Sequence, residues 1–219
     1  MKAKWQSYSK GRIGVYSRNI PEPYVVSVRN ILSAARRCLA VSFGLPTPGH
    51  LEVIMIKNGK SSPRLWTNGK DSIFLVVSKT RDLKAPKKSG IHHVYGLCHE
   101  LAHIAMYRRI RNVYSLPPGW GEGWAHYAAS TALVPYVWKR LGEDAWPDPY
   151  PYVKTEGKQR FLGQISRAGS LSDHTLEAAA KLYMIESKKG RKQIGHMLLR
   201  SEARGLTGDS LVLLLEKML

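Results

Sequence analysis

The chain has 219 residues, 34 of them Lys or Arg against 16 Asp or Glu, for a formal net charge of +18. A hydrophobic share of 43% suits a globular core, and the length suits one domain or one catalytic unit of two lobes. Two cysteines exclude a disulfide scaffold, and no apolar run reaches the roughly 18 residues a transmembrane span needs.

In chain order, Lys10–Ile20 mixes glycine and polar residues with Val15 and Tyr16 and is read as holding a short strand. Pro21-Glu22-Pro23 precedes a predicted helix from Tyr24 to Phe43, whose Val25, Val28, Ile31, Leu32, Ala35 and Leu39 follow the 3.6-residue period. The break at residues 44–49 leads to a β-branched strand, Leu51–Ile56. Asn58-Gly59 and Asn68-Gly69 are turn signals around a short strand, Arg64–Thr67, and Ile73–Val77 is a further strong strand. We expect Ile73–Val77 to lie beside a cleft and to pair with an extended peptide as an edge strand.

The next segment, Ile91 to Arg111, has no proline and carries apolar residues at Val94, Leu97, Leu101, Ile104 and Ala105, again at helical spacing. Arg108, Arg109 and Arg111 in its last turns complement a helix C-terminus. Within it stands His99-Glu100-Leu101-Ala102-His103, an H-E-x-x-H pattern. Residues four apart share a helix face, so both imidazoles enter one space and supply half of a tetrahedral zinc site. In this motif the glutamate, Glu100, is the general base for a metal-activated water. Cys98 points about 100° away from His99 and reads as a small buried hydrophobe.

A catalytic zinc needs a third protein ligand and an open position. Pro117-Pro118-Gly119 ends a loop, and a helix then starts near Trp120 or Gly121, which puts Glu122 in a first helical turn, well placed to meet a metal held by the preceding helix. H-E-x-x-H, then 18 residues, then Glu122 in the run Trp120, Glu122, Gly123, Trp124, Ala125, Tyr127 resembles the gluzincin zinc metallopeptidases, and within them the aminopeptidase N-like branch and its small relatives. The resemblance spans about residues 90–130. It implies one Zn2+ per chain on His99, His103 and Glu122, Glu100 as base, and hydrolysis of peptide bonds in a peptide or protein substrate. Larger members carry a Gly-Ala/Met-x-Glu-Asn stretch that holds the substrate's amino terminus. This chain has none before His99, so exopeptidase specificity is not carried over. Related enzymes also use a Tyr or His from a later helix to steady the oxyanion, which points to Tyr183, with His174 as the alternative.

His126, one turn after Glu122, has three readings: a group that orients a metal ligand, a substitute ligand, or an ordinary helix histidine. His92 and His93 read as surface or rim histidines. From Gly121 on, the chain reads as helices at 121–140, 155–168, 173–188, 190–203 and 208–218, with Pro135 kinking or ending the first and an irregular crossing at residues 144–151. The expected class is α+β: a small mixed α/β lobe, 1–111, including the motif helix, followed by a mainly helical lobe, 112–219, with the cleft between them and zinc at its floor.

Basic clusters at Lys79–Lys88, Arg108–Arg111, Lys154–Arg167 and Lys188–Arg204 attract acidic proteins, nucleic acid or anionic surfaces. Two rival readings follow: a basic nucleic-acid- or protein-binding module on an inactive fold, and a latent peptidase. The opening Met1-Lys2-Ala3-Lys4-Trp5-Gln6 lacks the apolar core of a signal peptide, so we expect a cytoplasmic protein or a trimmed exported one.

Overall fold

The structure is a computed structural model that describes residues 6–10, 12–46, 49–57, 64–77, 86–141 and 171–219. The expected helix at 155–168, the crossing at 144–151 and the Asn58-Gly59 turn lie outside the described residues.

The architecture is mixed α and β with helices in the majority. Strands β1 (Gln6–Lys10), β2 (Ile13–Arg18), β3 (Leu51–Lys57), β4 (Arg64–Thr67) and β5 (Ser72–Val77) form one sheet in the order β1-β2-β3-β5-β4. Strands β2, β3 and β5 run parallel, and the outer β1 and β4 are antiparallel to their neighbours. The pleat sends Leu51, Val53 and Met55 of β3 into the core while Glu52, Ile54 and Ile56 face outward. The expected edge strand is therefore corrected. Residues 73–77 lie inside the sheet, hydrogen-bonded to β3 on one side and β4 on the other, and the edge belongs to Arg64–Thr67.

Helix α1 (Glu22–Phe43) starts at Pro21 and stops at Gly44, whose left-handed backbone lets its N–H return to the Leu39 carbonyl. The motif helix α2 (Pro86–Tyr107) packs on α1, on β4 and on α3 (Trp120–Ala128). It ends four residues earlier than the sequence suggests. Past Tyr107, Arg109 turns inward, and its Nη1 donates to the Ala105 carbonyl at 2.5 Å while Nη2 donates to the Pro46 carbonyl at 3.0 Å. A buried arginine thus closes the helix end that an extension to Arg111 would have left regular.

The predicted single helix 121–140 is divided. A π turn, Ala129–Leu133, separates α3 from α4 (Val134–Leu141). Pro135 explains the division: it has no N–H for the Thr131 carbonyl one helical turn back. Arg191 Nη2 fills that place, donating to Thr131 O at 3.1 Å. Helices α5 (Asp173–Lys189), α6 (Arg191–Arg204) and α7 (Gly208–Glu216) complete the described chain. Ser172 caps α5 by accepting the Thr175 N–H. Cys38 and Cys98 are buried free thiols. No helix of the described residues is long and apolar enough to cross a membrane.

Candidate metal centre

Two helices build the site. Helix α2 carries His99, Glu100 and His103, and α3 brings Glu122 in its first turn. Their mutual position is fixed on two sides of α3. Trp124, 1% exposed, donates its indole N–H to the Ala102 carbonyl at 2.7 Å, which ties α3 to the middle of the motif. On the other side, a Cβ on Gly123 would lie 2.6 Å from Ala178 Cβ and 2.9 Å from the Ala179 nitrogen. Only glycine lets α5 press α3 this closely.

The result is a tight convergence of donor atoms. His99 Nε2 and His103 Nε2 are 3.1 Å apart. Glu122 Oε2 lies 3.1 Å from His99 Nε2, and Oε1 lies 3.2 Å from His103 Nε2. Four tetrahedral ligands at the usual zinc distances of about 2.0–2.1 Å stand about 3.3 Å from one another. Two imidazole nitrogens and a carboxylate that offers one oxygen to each thus stand at spacings close to those of a borderline divalent cation's ligands. His99, Glu122 and His126 also form a possible metal-binding group, with ligand atoms all within 4.8 Å of one another. His126 Nε2 stands 4.0 Å from Glu122 Oε2, while its Nδ1 is hydrogen-bonded to the Tyr95 hydroxyl. The buried Nδ1 atoms of His99 and His103 have no hydrogen-bond partner among the described residues. Packing holds these rings, in place of the carbonyl or carboxylate that usually orients a histidine ligand.

The electrostatics follow from burial and proximity. Burial lowers the His99 pKa and takes His126 down to about 3, so both rings are neutral at physiological pH. Hydrogen bonds from His103 and His99 hold the Glu122 carboxyl well below the usual carboxylate range. Glu100 goes the other way. Burial pushes it up to about 7, against the influence of His103 and of a hydrogen bond from the Thr67 backbone N–H. That bond places Glu100 beside the last residue of edge strand β4. Gly96 allows the approach, since a Cβ there would lie 2.4 Å from Leu65 Cδ2.

Two tyrosines that sequence reasoning passed over frame the site. Tyr95 precedes His99 by four residues and holds His126. Tyr107 follows His103 by four, with ring centroids 5.0 Å apart. A Cβ on Gly121 would lie 2.4 Å from the Tyr107 hydroxyl, so the phenol rests on the first turn of α3, next to Glu122. Burial and the charges of Glu122 and Glu100 push its pKa up to about 12, which keeps it a neutral donor. The signal was present as a stripe of residues 95, 99, 103 and 107 at helical spacing.

The two residues expected to steady the oxyanion stand differently. Tyr183 is half-buried on α5, the helix that packs against α3, and contacts the core. His174 is exposed at the start of α5 and lines a cavity of about 400 Å³ with Trp120, Glu177 and Lys181. None of His99, His103 and Glu122 lines that cavity. His92 and His93 fall within α2, with their side chains outside the described residues. Comparisons of the chain with protein-family models and with curated proteins find no match.

Proposed function

We propose that this protein is a zinc-dependent metallopeptidase with a gluzincin-like, zincin-type arrangement of its lobes. The observation that carries the reading is the convergence of His99 Nε2 and His103 Nε2, 3.1 Å apart, on the Glu122 carboxylate, whose Oε2 lies 3.1 Å from the first and Oε1 3.2 Å from the second, with Glu100 on the same helix as the histidines. His99, His103 and Glu122 would hold one Zn2+, which when bound supplies Lewis-acid polarisation of a carbonyl and acidification of a water. Glu100 takes the proton of the attacking water on its carboxylate and passes it to the leaving amine nitrogen. A buried carboxyl with a pKa near neutrality suits both halves of that transfer. His126, held by Tyr95, borders Glu122, with its Nε2 4.0 Å from Glu122 Oε2. Tyr183 on α5 is the proposed donor to the oxyanion, because α5 is the helix pressed against α3. The exposure of His174 and its separate cavity leave it outside this scheme.

The test combines metal content with turnover. Wild-type protein purified without a chelating column is expected to carry about one zinc per chain, and Glu122→Ala to lose it. Glu100→Gln is expected to keep the metal and to lose at least about 10³-fold in kcat on any peptide the wild type cleaves. A folded wild type that takes up no zinc overturns the reading and favours the basic binding module.

A further inference from the structure

A cavity of about 920 Å³ opens beside the site, between the β4–β5 turn and the chain that follows α2. It shares two walls with the catalytic centre. One is Thr67, whose N–H reaches the Glu100 carboxylate, and the other is Tyr107, which stacks near His103 and rests beside Glu122. The cavity thus adjoins the site across Thr67 and Tyr107.

The lining has a definite sign. Lys70, Arg108 and Arg111 face the cavity and are exposed. Among the described residues, no carboxylate lies within ion-pair distance of any of the three. Arg109, between two of them in sequence, is by contrast buried and paired with Glu202 at 3.5 Å. Asp71, the acid named in the lining, accepts from Asn68 Nδ2 and Ser72 Oγ, both at 3.0 Å, and feels the charges of Arg108 and Lys70 without forming an ion pair with either. The turn is also preformed: Asn68 Oδ1 accepts the N–H groups of Lys70, Asp71 and Ser72 at 2.9–3.1 Å. At the far end Tyr114 is 99% exposed, an apolar wall left bare.

From this placement we propose that the cavity is a substrate subsite for acidic side chains, and that the enzyme selects peptides carrying Asp or Glu next to the scissile bond. This rests on the metallopeptidase reading. Three exposed cations gathered around one concave surface, without an ion pair among the described residues, attract carboxylates more strongly than the same charges scattered apart. A peptide is the occupant the metallopeptidase reading calls for, and nucleic acid is an alternative outcome of the test. Arg108 and Arg111 provide the fork geometry that carboxylates accept.

The decisive experiment separates binding from turnover. Zinc-loaded Glu100→Gln is titrated, by fluorescence anisotropy, into two labelled decapeptides that differ only in three Glu-to-Gln replacements, and into a single-stranded oligonucleotide. The acidic peptide is expected to bind at least tenfold tighter than its neutral twin, and to lose at least tenfold when Arg108→Gln and Arg111→Gln are added. Circular dichroism of the triple variant verifies its fold. Equal affinity for the two peptides, or an acidic preference that survives both arginine changes, overturns the proposal. So does an oligonucleotide that outbinds the acidic peptide and depends on the same arginines. Wild-type cleavage of a random peptide library supplies the second arm. Cleavage without acidic residues at fixed places overturns the subsite alone. Selective, arginine-dependent binding with no cleavage of any peptide upholds the cleft's preference and overturns the metallopeptidase reading instead.

Discussion

Glu100 carries the clearest conflict between stability and chemistry at the residue scale. Its carboxyl is half-buried on the motif helix, and burial raises its pKa from 4.5 to about 7 in the metal-free protein. The sign follows directly. The folded chain keeps this proton up to about pH 7, whereas the unfolded chain releases it near 4.5. The group's contribution to stability is therefore fully present below about pH 4.5 and is lost as the pH rises through about 7. Metal-free Glu100→Gln, which has no charge to bury, is expected to gain on metal-free wild type by on the order of 1–3 kcal/mol between pH 5 and pH 8. Urea unfolding of both proteins at the two pH values in the presence of a chelator measures this; a difference that stays flat or narrows toward pH 8 refutes it. The same residue shows what was legible. H-E-x-x-H could be read because spacing along one helix is a local property, whereas Glu122, on the next helix, was read from the helix start that follows Pro117-Pro118-Gly119 and from the resemblance. Tyr95 and Tyr107 share that spacing, yet their roles depend on what α3 brings opposite them: His126 against one, Gly121 and Glu122 against the other.

Gly123 decides the geometry at the scale of elements. Helix α3 has to meet α2 at Ala102 and α5 at Ala178–Ala179 within two turns, and the second contact leaves no room for a methyl group. Gly123→Ala is expected to destabilise the protein by about 1–3 kcal/mol, because the atoms it meets include backbone. It is also expected to weaken metal binding, since Glu122 is the adjacent residue. Denaturant midpoints and a zinc titration of the variant check both, and an unchanged midpoint contradicts the packing argument. Most helices and strands were legible because their apolar periods are strong: α1, β3, β4, β5, α5 and α6 fall within a few residues of their sequence-based bounds. The misplacements have a common cause. The end of α2, the π turn and the edge of the sheet are all set by long-range partners. Arg109 reaches Pro46, Arg191 reaches Thr131, and β3, about 20 residues back in the chain, takes the free side of β5 and leaves the edge to β4. A local pattern carries none of these.

For the whole molecule, the question is whether 1–111 and 112–219 behave as separate lobes. The buried core is one cluster that runs from Ile13 on β2 to Leu215 on α7, without a gap at residue 111. Ties cross that boundary repeatedly. Arg109 joins the loop after α1 to Glu202 on α6, and the Arg111 N–H donates to the Leu206 carbonyl at 3.0 Å. The Arg191 guanidinium sits 5.5 Å from the centre of the Phe43 ring while pairing with Glu186, which in turn accepts from the Tyr127 hydroxyl at 2.5 Å. A partly buried network of this kind is costly to open halfway, because each released group leaves another unpaired. The candidate metal site needs the same continuity, with His99 and His103 on α2, before the boundary, and Glu122 on α3, after it. The chain is accordingly expected to unfold in one cooperative step. In a urea titration of the metal-free protein, tryptophan fluorescence and far-UV circular dichroism should give coincident midpoints. Two resolved transitions would show that the lobes hold together independently and that their docking, rather than their folding, assembles the site.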